Sequence, residues 1–579
     1  MDAIDESAGA LEWPDYAVLG IVLCVSASIG VYYRFSGGRQ KTAEEYFSAD
    51  RSMSVPLLAI ALMVAFMSAI AMLGISGEIY IYGSQFTLVN LGFSLGTPFA
   101  AFLYLPVFYH LQTMSIYEYL QRRFGMTARL VASLTNFVQM VLYTGVVLYA
   151  PALALEATTG LSSMMSVLVI GLICTFYSSI GGMKAVLATD VFQGVLMFAS
   201  LFCIIGVAWY DFEGGFLEIW SKAGEGGRLE FLDFSLDPTQ RHTFWGLMIG
   251  GAFFFLSNFA VNQIMIQRLL AARSLVQAQL ALFLNVPLTV SMSLVTSLAG
   301  LALYAWFKDC DPVASGKVYS FDQVMPYFAK IRMSQIPGLS GFFIAGVFSA
   351  SLSTVSAMIN SLAAVAVADY IKPLYAAFGH DLSDSTASLL GKVFGTFNGL
   401  LILAVAYLAS QLGSIMQLAL AINGAMGGPL LGLFSLGIFV ESANEAGSVI
   451  GILLSLAFSL WVVFGSPKPP VLDLPVSVAN CSTNLTAVDT ALYDARLFAL
   501  MDAEDGEYFY PYRISYMWYT PLGMVTTMLF GYIASLFVCC CAKVQEPDPD
   551  LFTPVIASCM RRRNAGNTKR NSFVMTPSK

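Results

Sequence analysis

The feature that most constrains this chain is a series of apolar runs, each long enough to cross a lipid bilayer. A bilayer core of roughly 30 Å needs about 20 apolar residues in a helix. With 57% hydrophobic and 11% charged residues, the chain is too apolar for a soluble surface. Closed barrels show a ten-residue alternation instead, so the sequence predicts an all-α polytopic membrane protein with about thirteen transmembrane helices. They are predicted at 13–33, 55–82, 87–110, 127–155, 161–180, 186–210, 241–270, 277–306, 335–371, 388–409, 412–439, 443–464 and 515–541.

The distribution of basic residues predicts the orientation of these helices. Most of the 29 Lys and Arg fall in alternate loops and in the C-terminal tail, and an excess of basic residues is typical of cytoplasmic loops. The N-terminus is therefore predicted outside and the C-terminus inside. Asp2, Asp5 and Glu6 stand where a secretory signal would carry positive charge, which predicts that the first run is a retained span. Two glycosylation sequons, at Asn480 and Asn484, agree with this topology and favour a multi-pass protein of the plasma membrane.

Cysteine, histidine and charge limit the chemistry of the chain. Nine cysteines form no CxxC pair and only three histidines are present, so no metal cluster and no cofactor is predicted. No nucleophile paired with a base, Walker loop or zinc spacing falls on a span, which argues against an enzyme. The net charge of −8 says little by itself, because the acidic residues lie mainly in a few long loops, and nucleic acid is not an expected partner. Cys310 and Cys481 fall in loops predicted outside, where a disulfide could persist, but the sequence leaves their pairing open. The cysteines at 539–541 fit either palmitoylation or plain apolar packing.

The second apolar run is long enough to span, yet its middle is small and polar and its end carries Gly74, Gly77 and Glu78. Unwound backbone in a membrane is tolerated where it lines a cavity, and its free carbonyls can bind a cation. Close helix packing through small residues is the alternative.

A second unusual segment, 348–361, places five serines and a threonine in one span. Hydroxyls in a helix often bond their own backbone, so a structural role is one interpretation. Ser353 and Thr354 are adjacent, however, and two hydroxyls with backbone carbonyls make the neutral oxygen cage that a hard monovalent cation needs.

Ionisable and amide side chains interrupt two further spans. A predicted glycine turn at Gly181-Gly182 leads into a span with Asp190 and Gln193 one helical turn apart. An intramembrane carboxylate is costly and marks function, unless it caps a helix end. Asn262 and Gln263 form a similar polar interruption of a later span.

Taken together, these motifs resemble the sodium/solute symporter family along nearly the whole apolar chain. The matching segments, in order, are Gly181–Val186, Thr189–Gln193, Asn262-Gln263 with Gln267-Arg268, Leu352–Thr354 and Ile359-Asn360. Within the family, Ala65–Ala69, Ser76–Tyr80 and Gly427–Gly432 resemble the branch of the monocarboxylate, multivitamin and iodide cotransporters. Sugar carriers fit less well.

The resemblance implies a LeuT-like inverted-repeat fold of five plus five helices. The first repeat would span 55–210 and the second 241–439, with an extracellular loop at 307–335. The other segments would be an N-terminus, first helix and cytoplasmic loop (1–54), an extracellular loop (211–240), two C-terminal helices (440–542) with a glycosylated loop (465–514), and a disordered cytoplasmic tail (543–579).

The resemblance also implies the site residues. Backbone carbonyls of Val64, Met67 and Ala350 and the hydroxyls of Ser353 and Thr354 would hold sodium, the coupling ion. A polar network on the sodium exit path would contain Asp190, Gln193 and Gln263. The substrate would contact Phe66, Ser68, Ala71, Phe259 and Gln417.

Departures from the family pattern reduce the number of candidate substrates. Asn258 stands where sugar carriers have a gating tyrosine, and Ala71 stands where the iodide carrier has a glutamine. The prediction is therefore a symporter that imports a small monocarboxylate such as lactate, pyruvate or a short-chain fatty acid. Alternatives are a biotin and pantothenate carrier, an iodide or other anion symporter and, from another class, an ion channel or a solute sensor that does not transport.

Overall fold

The computed structural model describes residues 11–35, 53–159, 162–409, 415–469, 471, 473–481, 508–539 and 548–574. Apart from one bridge between Met53 and Ala272, the regular structure in these ranges is helical. Long apolar runs favour this outcome, because a helix satisfies its backbone hydrogen bonds within one segment.

The helices of the N-terminal part are α1 (Trp13–Phe35), α2 (Val55–Phe66), α3 (Ala69–Tyr82), α4 (Val89–Phe99), α5 (Leu105–Leu111), α6 (Tyr117–Arg123), α7 (Met126–Thr159), α8 (Ser163–Tyr210) and α9 (Gly215–Glu225). A 3₁₀ turn at Ser84–Leu88 precedes α4, and a π-helical turn at Ala100–Tyr104 joins α4 to α5.

The helices that follow are α10 (Phe244–Phe259), α11 (Gln263–Leu269), α12 (Leu275–Phe307), α13 (Val324–Arg332), α14 (Leu339–Val365), α15 (Lys372–Ala377), α16 (Asp384–Ala409), α17 (Ile415–Ile422), α18 (Gly428–Phe439), α19 (Glu445–Phe464), α20 (Tyr510–Arg513), α21 (Tyr519–Cys539) and α22 (Pro554–Val574). Shorter turns are 3₁₀ at Phe321–Gln323, Met333–Gln335, Tyr516–Trp518 and Pro549–Leu551, and π-helical at Ala366–Ile371 and Asn423–Gly427.

Two of the predicted spans are bent at their polar interruptions. The axes of α2 and α3 differ by 59°, and those of α10 and α11 differ by 66°. Each bent pair opens one of the two predicted repeats. In the described ranges, nine helices are long and apolar enough to cross a bilayer, and eleven if each bent pair counts as one span.

One local prediction differs from the structure. The glycine turn expected at Gly181-Gly182 is absent, because α8 continues through it for 48 residues. A glycine inside a helix lowers its stability by roughly 1 kcal/mol relative to alanine. The long helical segments on both sides of Gly181 and Gly182 are enough to keep these two residues helical. At 1.5 Å per residue α8 would be about 72 Å long if straight, more than twice a bilayer core.

The serine-rich helix α14 lies at the centre of the molecule. Its residues are buried almost without exception, and it packs against α1, α2, α7, α8 and α16. Gly346 permits the contact with α8, since a Cβ there would lie 2.3 Å from Ser200 Oγ. The polar stripe of α14 is therefore held against neighbouring helices rather than lipid.

The ends of the bundle are secured by segments outside the spans. Cys310 and Cys481 form a disulfide, which settles the pairing that the sequence left open. At the opposite end, part of the tail that was expected to be disordered is ordered: Leu551 and Phe552 are buried, and the Phe552 ring lies 4.8 Å from the Arg123 guanidinium. These two apolar side chains attach the tail to the bundle. The basic composition of the tail did not indicate this contact. Of the predicted modification sites, Asn480 is exposed, whereas Asn484 and residues 540–541 lie outside the described residues.

Candidate functional site

The break between α2 and α3 exposes backbone carbonyls. α2 ends at Phe66, Met67 leaves helical geometry with φ −86° and ψ 80°, and α3 begins after Ser68. The last carbonyls of a helix have no partner within that helix. The break lies in the small, polar middle of the run rather than at Gly74 or Gly77, which stay helical.

The two predicted hydroxyls of α14 lie against this break. Thr354 Oγ1 donates to the Ala350 carbonyl oxygen at 3.2 Å and approaches the Ala65 carbonyl oxygen, at the end of α2, at 3.5 Å. Ser353 Oγ donates to Asp190 Oδ1 at 2.5 Å. Ser353 and Thr354 are fully buried, so their hydrogen bonds are made within the protein. Val64, another predicted ligand, packs beside Gly194 of α8.

Asp190 has an ionic partner that the sequence reasoning did not place in the site. Arg268 Nη2, from α11, lies 3.0 Å from Asp190 Oδ2, and Arg268 Nη1 donates to the Ala61 carbonyl oxygen of α2. Both charged side chains are almost completely buried. The sequence did contain a signal for this pairing. Arg268 lies in the span that also carries Asn262 and Gln263, and a buried Asp such as Asp190 needs an opposite charge.

The two predicted glutamines of the exit path lie in different surroundings. Gln193 is fully buried on α8, and neither atom of its amide has a hydrogen-bond partner among the described residues. Gln263 instead accepts from the Ile116 backbone N–H at 2.9 Å and donates to the Met114 carbonyl oxygen at 2.8 Å. Its hydrogen bonds thus attach α11 to the segment before α6 rather than to Asp190.

A cavity of about 80 Å³ opens at the α2–α3 break. Three of the five predicted substrate residues line it, namely Phe66, Ser68 and Ala71. The ring of Phe66 packs against three other phenylalanines at centroid distances of 5.1 to 5.9 Å. The polar lining residues are Ser68, Tyr143, Asn258, Asn262, Ser293, Thr354 and Asn423, and no charged side chain is among the lining residues.

The other two predicted substrate residues do not line this cavity. Phe259 packs behind Phe66, with ring centroids 5.1 Å apart. Gln417 is exposed on the outer face of α17, while Met416 and Asn423 from the same stretch line the cavity. A helix turns 100° per residue, so an error of one position in register turns a side chain away from the cavity. Asn423 and Tyr143 were not identified from the sequence.

A buried polar cluster closes the disulfide end of the site. Arg241 donates to both carboxylate oxygens of Glu78 on α3, at 2.6 and 2.9 Å, and the Tyr516 hydroxyl donates to Glu78 Oε1 at 3.2 Å. His242 Nε2 lies 3.0 Å from Glu78 Oε1. Burial lowers the pKa of His242, although Glu78 opposes the shift.

The segment that carries Cys481 packs across the disulfide end of the site. Arg228 donates to the carbonyl oxygens of Tyr80, Leu474 and Pro475, and the Tyr80 hydroxyl donates to Asp311 Oδ2 at 2.6 Å. Burial raises the pKa of Asp311, while its hydrogen bonds oppose this shift. The half of the broken helix nearer the disulfide, α3, is thereby bonded to two loops.

Ion pairs and carbonyl contacts also close the opposite end. Arg129 at the start of α7 pairs with Asp369 on the π-helical turn after α14, with Nη2 and Oδ1 2.5 Å apart. Arg123 donates to the carbonyl oxygens of Gly437 and Val440 at the end of α18. The cavity therefore lies between two sets of buried polar contacts.

This geometry defines the class of the protein. A bundle of apolar helices with two broken members, whose breaks meet at a central cavity, is the architecture of a secondary transporter with discontinuous helices. Such an architecture needs a bilayer, a solute and a coupling ion.

Comparison with known proteins identifies the family. The model of the sodium:solute symporter family matches residues 46–455, and the chain belongs to that family. A candidate sodium-dependent multivitamin transporter of Drosophila melanogaster is 47% identical over 566 residues, which cover 95% of this chain and 92% of that protein. Sodium-coupled monocarboxylate transporter 1 of Mus musculus is 39% identical over 547 residues, covering 93% and 88%. The protein is thus a multi-pass, sodium-coupled solute symporter and not an enzyme.

A solved structure supports the predicted fold. The substrate-bound, outward-open state of a Na⁺-coupled sialic acid symporter matches with a TM-score of 0.75 at 24% identity, over 92% of this chain and 99% of that chain. The fold is therefore LeuT-like, as predicted.

Proposed function

We propose that the solute is a small organic monocarboxylate, imported with sodium across the plasma membrane. The observation that carries the proposal is an uncharged, largely apolar cavity placed directly beside the exposed carbonyls of α2 and the hydroxyls of α14. Apolar walls suit a short hydrocarbon body. The absence of a cationic side chain from the cavity lining leaves sodium and helix termini to balance a carboxylate.

The sodium site would consist of five oxygens, three carbonyl oxygens from Val64, Met67 and Ala350 and two hydroxyl oxygens from Ser353 and Thr354. A hydroxyl has one hydrogen and two lone pairs. Ser353 gives its hydrogen to Asp190 and Thr354 gives its hydrogen to Ala350, so the lone pairs of both remain for a cation. Without a carboxylate ligand, the site would bind sodium weakly enough to release it.

The anion would be held by the positive end of a helix. α3 is 14 residues long and begins at the cavity, with Ser68 and Ala71 in its lining. Helix N-termini offer unpaired N–H groups and a partial positive charge to an anion. The carboxylate would lie at this end, with the apolar part of the solute toward Phe66.

Transport would alternate between the two closed ends. Opening toward the outside requires separation of the Glu78–Arg241 cluster, and opening toward the inside requires separation of Arg129 and Asp369. Asp190, held by Arg268, would lie on the inward path of sodium with Gln193 one helical turn away. With the N-terminus outside and the C-terminus inside, the disulfide end is the extracellular one.

A larger monocarboxylate is the second candidate substrate. The 47% identity to a candidate multivitamin transporter favours it, and biotin and pantothenate each carry one carboxylate on an uncharged body. The two candidates differ in the size of the body rather than in the charge that the site must balance.

Uptake measurements in cells that express the full chain test the proposal. Labelled lactate, butyrate, biotin, pantothenate and iodide would be offered in sodium and in choline medium, with cells that lack the chain as the background control. We expect saturable, sodium-dependent uptake of at least one of the four carboxylates. Uptake of iodide alone, or carboxylate uptake that is equal in choline, would refute the proposal.

A further inference from the structure

One polar side chain in the cavity is held by a buried neighbour. Asn423 is the first residue of the π-helical turn Asn423–Gly427, a kind of irregularity that is frequent at functional sites. Its side chain lines the cavity and is 4% exposed. Gln139 of α7, also buried, donates from Nε2 to Asn423 Oδ1 at 2.9 Å.

This hydrogen bond fixes which end of the Asn423 amide faces the cavity. An amide oxygen only accepts, and the amide nitrogen carries two hydrogens. Because Oδ1 is directed at Gln139, Nδ2 lies on the other side, and no acceptor among the described residues is bonded to it. Gly427 leaves room for Gln139 at this point, since a Cβ added at Gly427 would lie 3.2 Å from Gln139 Nε2.

In each of the other two amides of the cavity, Nδ2 is directed at a neighbouring acceptor. Asn258 Nδ2 donates to the Phe254 carbonyl oxygen at 2.9 Å, within its own helix. Asn262 Oδ1 accepts from the Ile264 N–H at 2.9 Å as the cap of α11, and its Nδ2 is directed at the sulfur of Met140. Asn258 keeps one donor hydrogen, whereas Asn423 is the lining amide whose two donors are both uncommitted and are oriented by the bond to its oxygen.

We propose that Asn423 is a carboxylate-recognition residue and that Gln139 is its positioning residue. In a cavity without a cationic side chain, two N–H donors on one nitrogen give a carboxylate oxygen a directional partner. This inference rests on the proposed function, because it assigns a contact to the same anion. It predicts that the site distinguishes an acid from its primary amide through Asn423.

The direct test is Asn423→Asp, which keeps the shape and the acceptor for Gln139 but replaces the donors with a negatively charged carboxylate. We expect the KM for the transported acid to rise about 100-fold or more, since a hydrogen bond to a charged group is lost and repulsion is added. The sodium concentration for half-saturation should change less than about threefold. Asn423→Ser, which cannot reach as far, should raise KM about tenfold.

Gln139→Glu tests the positioning role separately. A carboxylate can only accept, so the Asn423 amide would turn its nitrogen toward position 139 and its oxygen toward the solute. KM for the acid should rise about tenfold or more, whereas inhibition by the matching primary amide, measured as competition with the labelled acid, should change little. Gln417→Leu, at an exposed position on α17, is the matched control and should leave KM unchanged.

The outcomes separate this inference from the function on which it rests. If the wild-type chain transports none of the carboxylates, the proposed function fails first. If the wild type transports an acid but Asn423→Asp and Asn423→Ser have the wild-type KM for that acid, then Asn423 does not bind the carboxylate. Equal fold-changes in the KM for the acid and in the inhibition constant of its amide in Gln139→Glu would also overturn the inference. Surface labelling corrects uptake for protein amount, and KM does not depend on that amount.

Discussion

Replacing Arg268 with methionine should destabilise the protein far more than removing an ordinary surface ion pair. Asp190 and Arg268 are 0% and 1% exposed, and each is within 3.0 Å of the other. Removing one partner of a buried pair leaves an uncompensated charge, which costs about 3 to 5 kcal/mol. The Ala61 carbonyl oxygen would also lose its donor. We therefore expect the free energy of unfolding to fall by at least about 3 kcal/mol.

The matched control is Arg122→Met, which breaks the pair between Arg122 and Glu118. Those side chains are 49% and 31% exposed, so their pair should contribute about 0 to 1 kcal/mol. Denaturant unfolding in one detergent would compare both variants with the wild type. The double variant Asp190→Asn with Arg268→Met should recover much of the lost stability, since no charge stays buried. Equal losses for Arg268→Met and Arg122→Met would refute the reasoning.

Three further predictions follow from other contacts. Ser353→Ala and Thr354→Ala should each raise the sodium concentration for half-maximal uptake about 5- to 10-fold, because each removes one oxygen ligand; unchanged values in both would remove the proposed site. Cys310→Ser should lower the free energy of unfolding by about 2 to 5 kcal/mol, since the disulfide closes a loop of 171 residues, and the free Cys24→Ser is the control. Because burial lowers the pKa of His242, this side chain takes up its proton in the unfolded chain near its ordinary pKa of about 6.5 but only at a lower pH in the folded protein. Stability should therefore fall on acidification from about pH 7.5 to 5.5, and His242→Gln should reduce that fall; an unaltered pH dependence would contradict the assignment.

Features that depend on neighbours in sequence were predictable. The second run breaks in the small, polar middle that the sequence singled out, at Met67 and Ser68. Ser353 and Thr354 both lie in the buried part of α14, but they point about 100° apart, so Ser353 contacts Asp190 and Thr354 contacts the end of α2. The family resemblance implied the placement of Phe66 and Ser68, and both line the cavity. Their proposed roles in binding stay predictions.

Features that depend on the packing of distant segments were not predictable. Arg268 contacts Asp190, which lies 78 residues away in the sequence, and Gln139 contacts Asn423, which lies 284 residues away. No local pattern encodes such pairings. Gln417 was chosen as a polar residue of α17, part of which borders the cavity. Its position around the helix turns its side chain away from the cavity, whereas Asn423, just after α17, lines it.

The arrangement around the break gives a physical reason for coupling. Met67, proposed to bind sodium through its carbonyl, is followed directly by Ser68, where the helix that faces the solute begins. Thr354 approaches the end of α2 and also lines the cavity. A cation between α2 and α14 would fix the backbone that forms one wall of the solute site. Because both ligands would stabilise the same arrangement of Met67, Ser68 and Thr354, each would raise the affinity for the other, which is the thermodynamic requirement for symport.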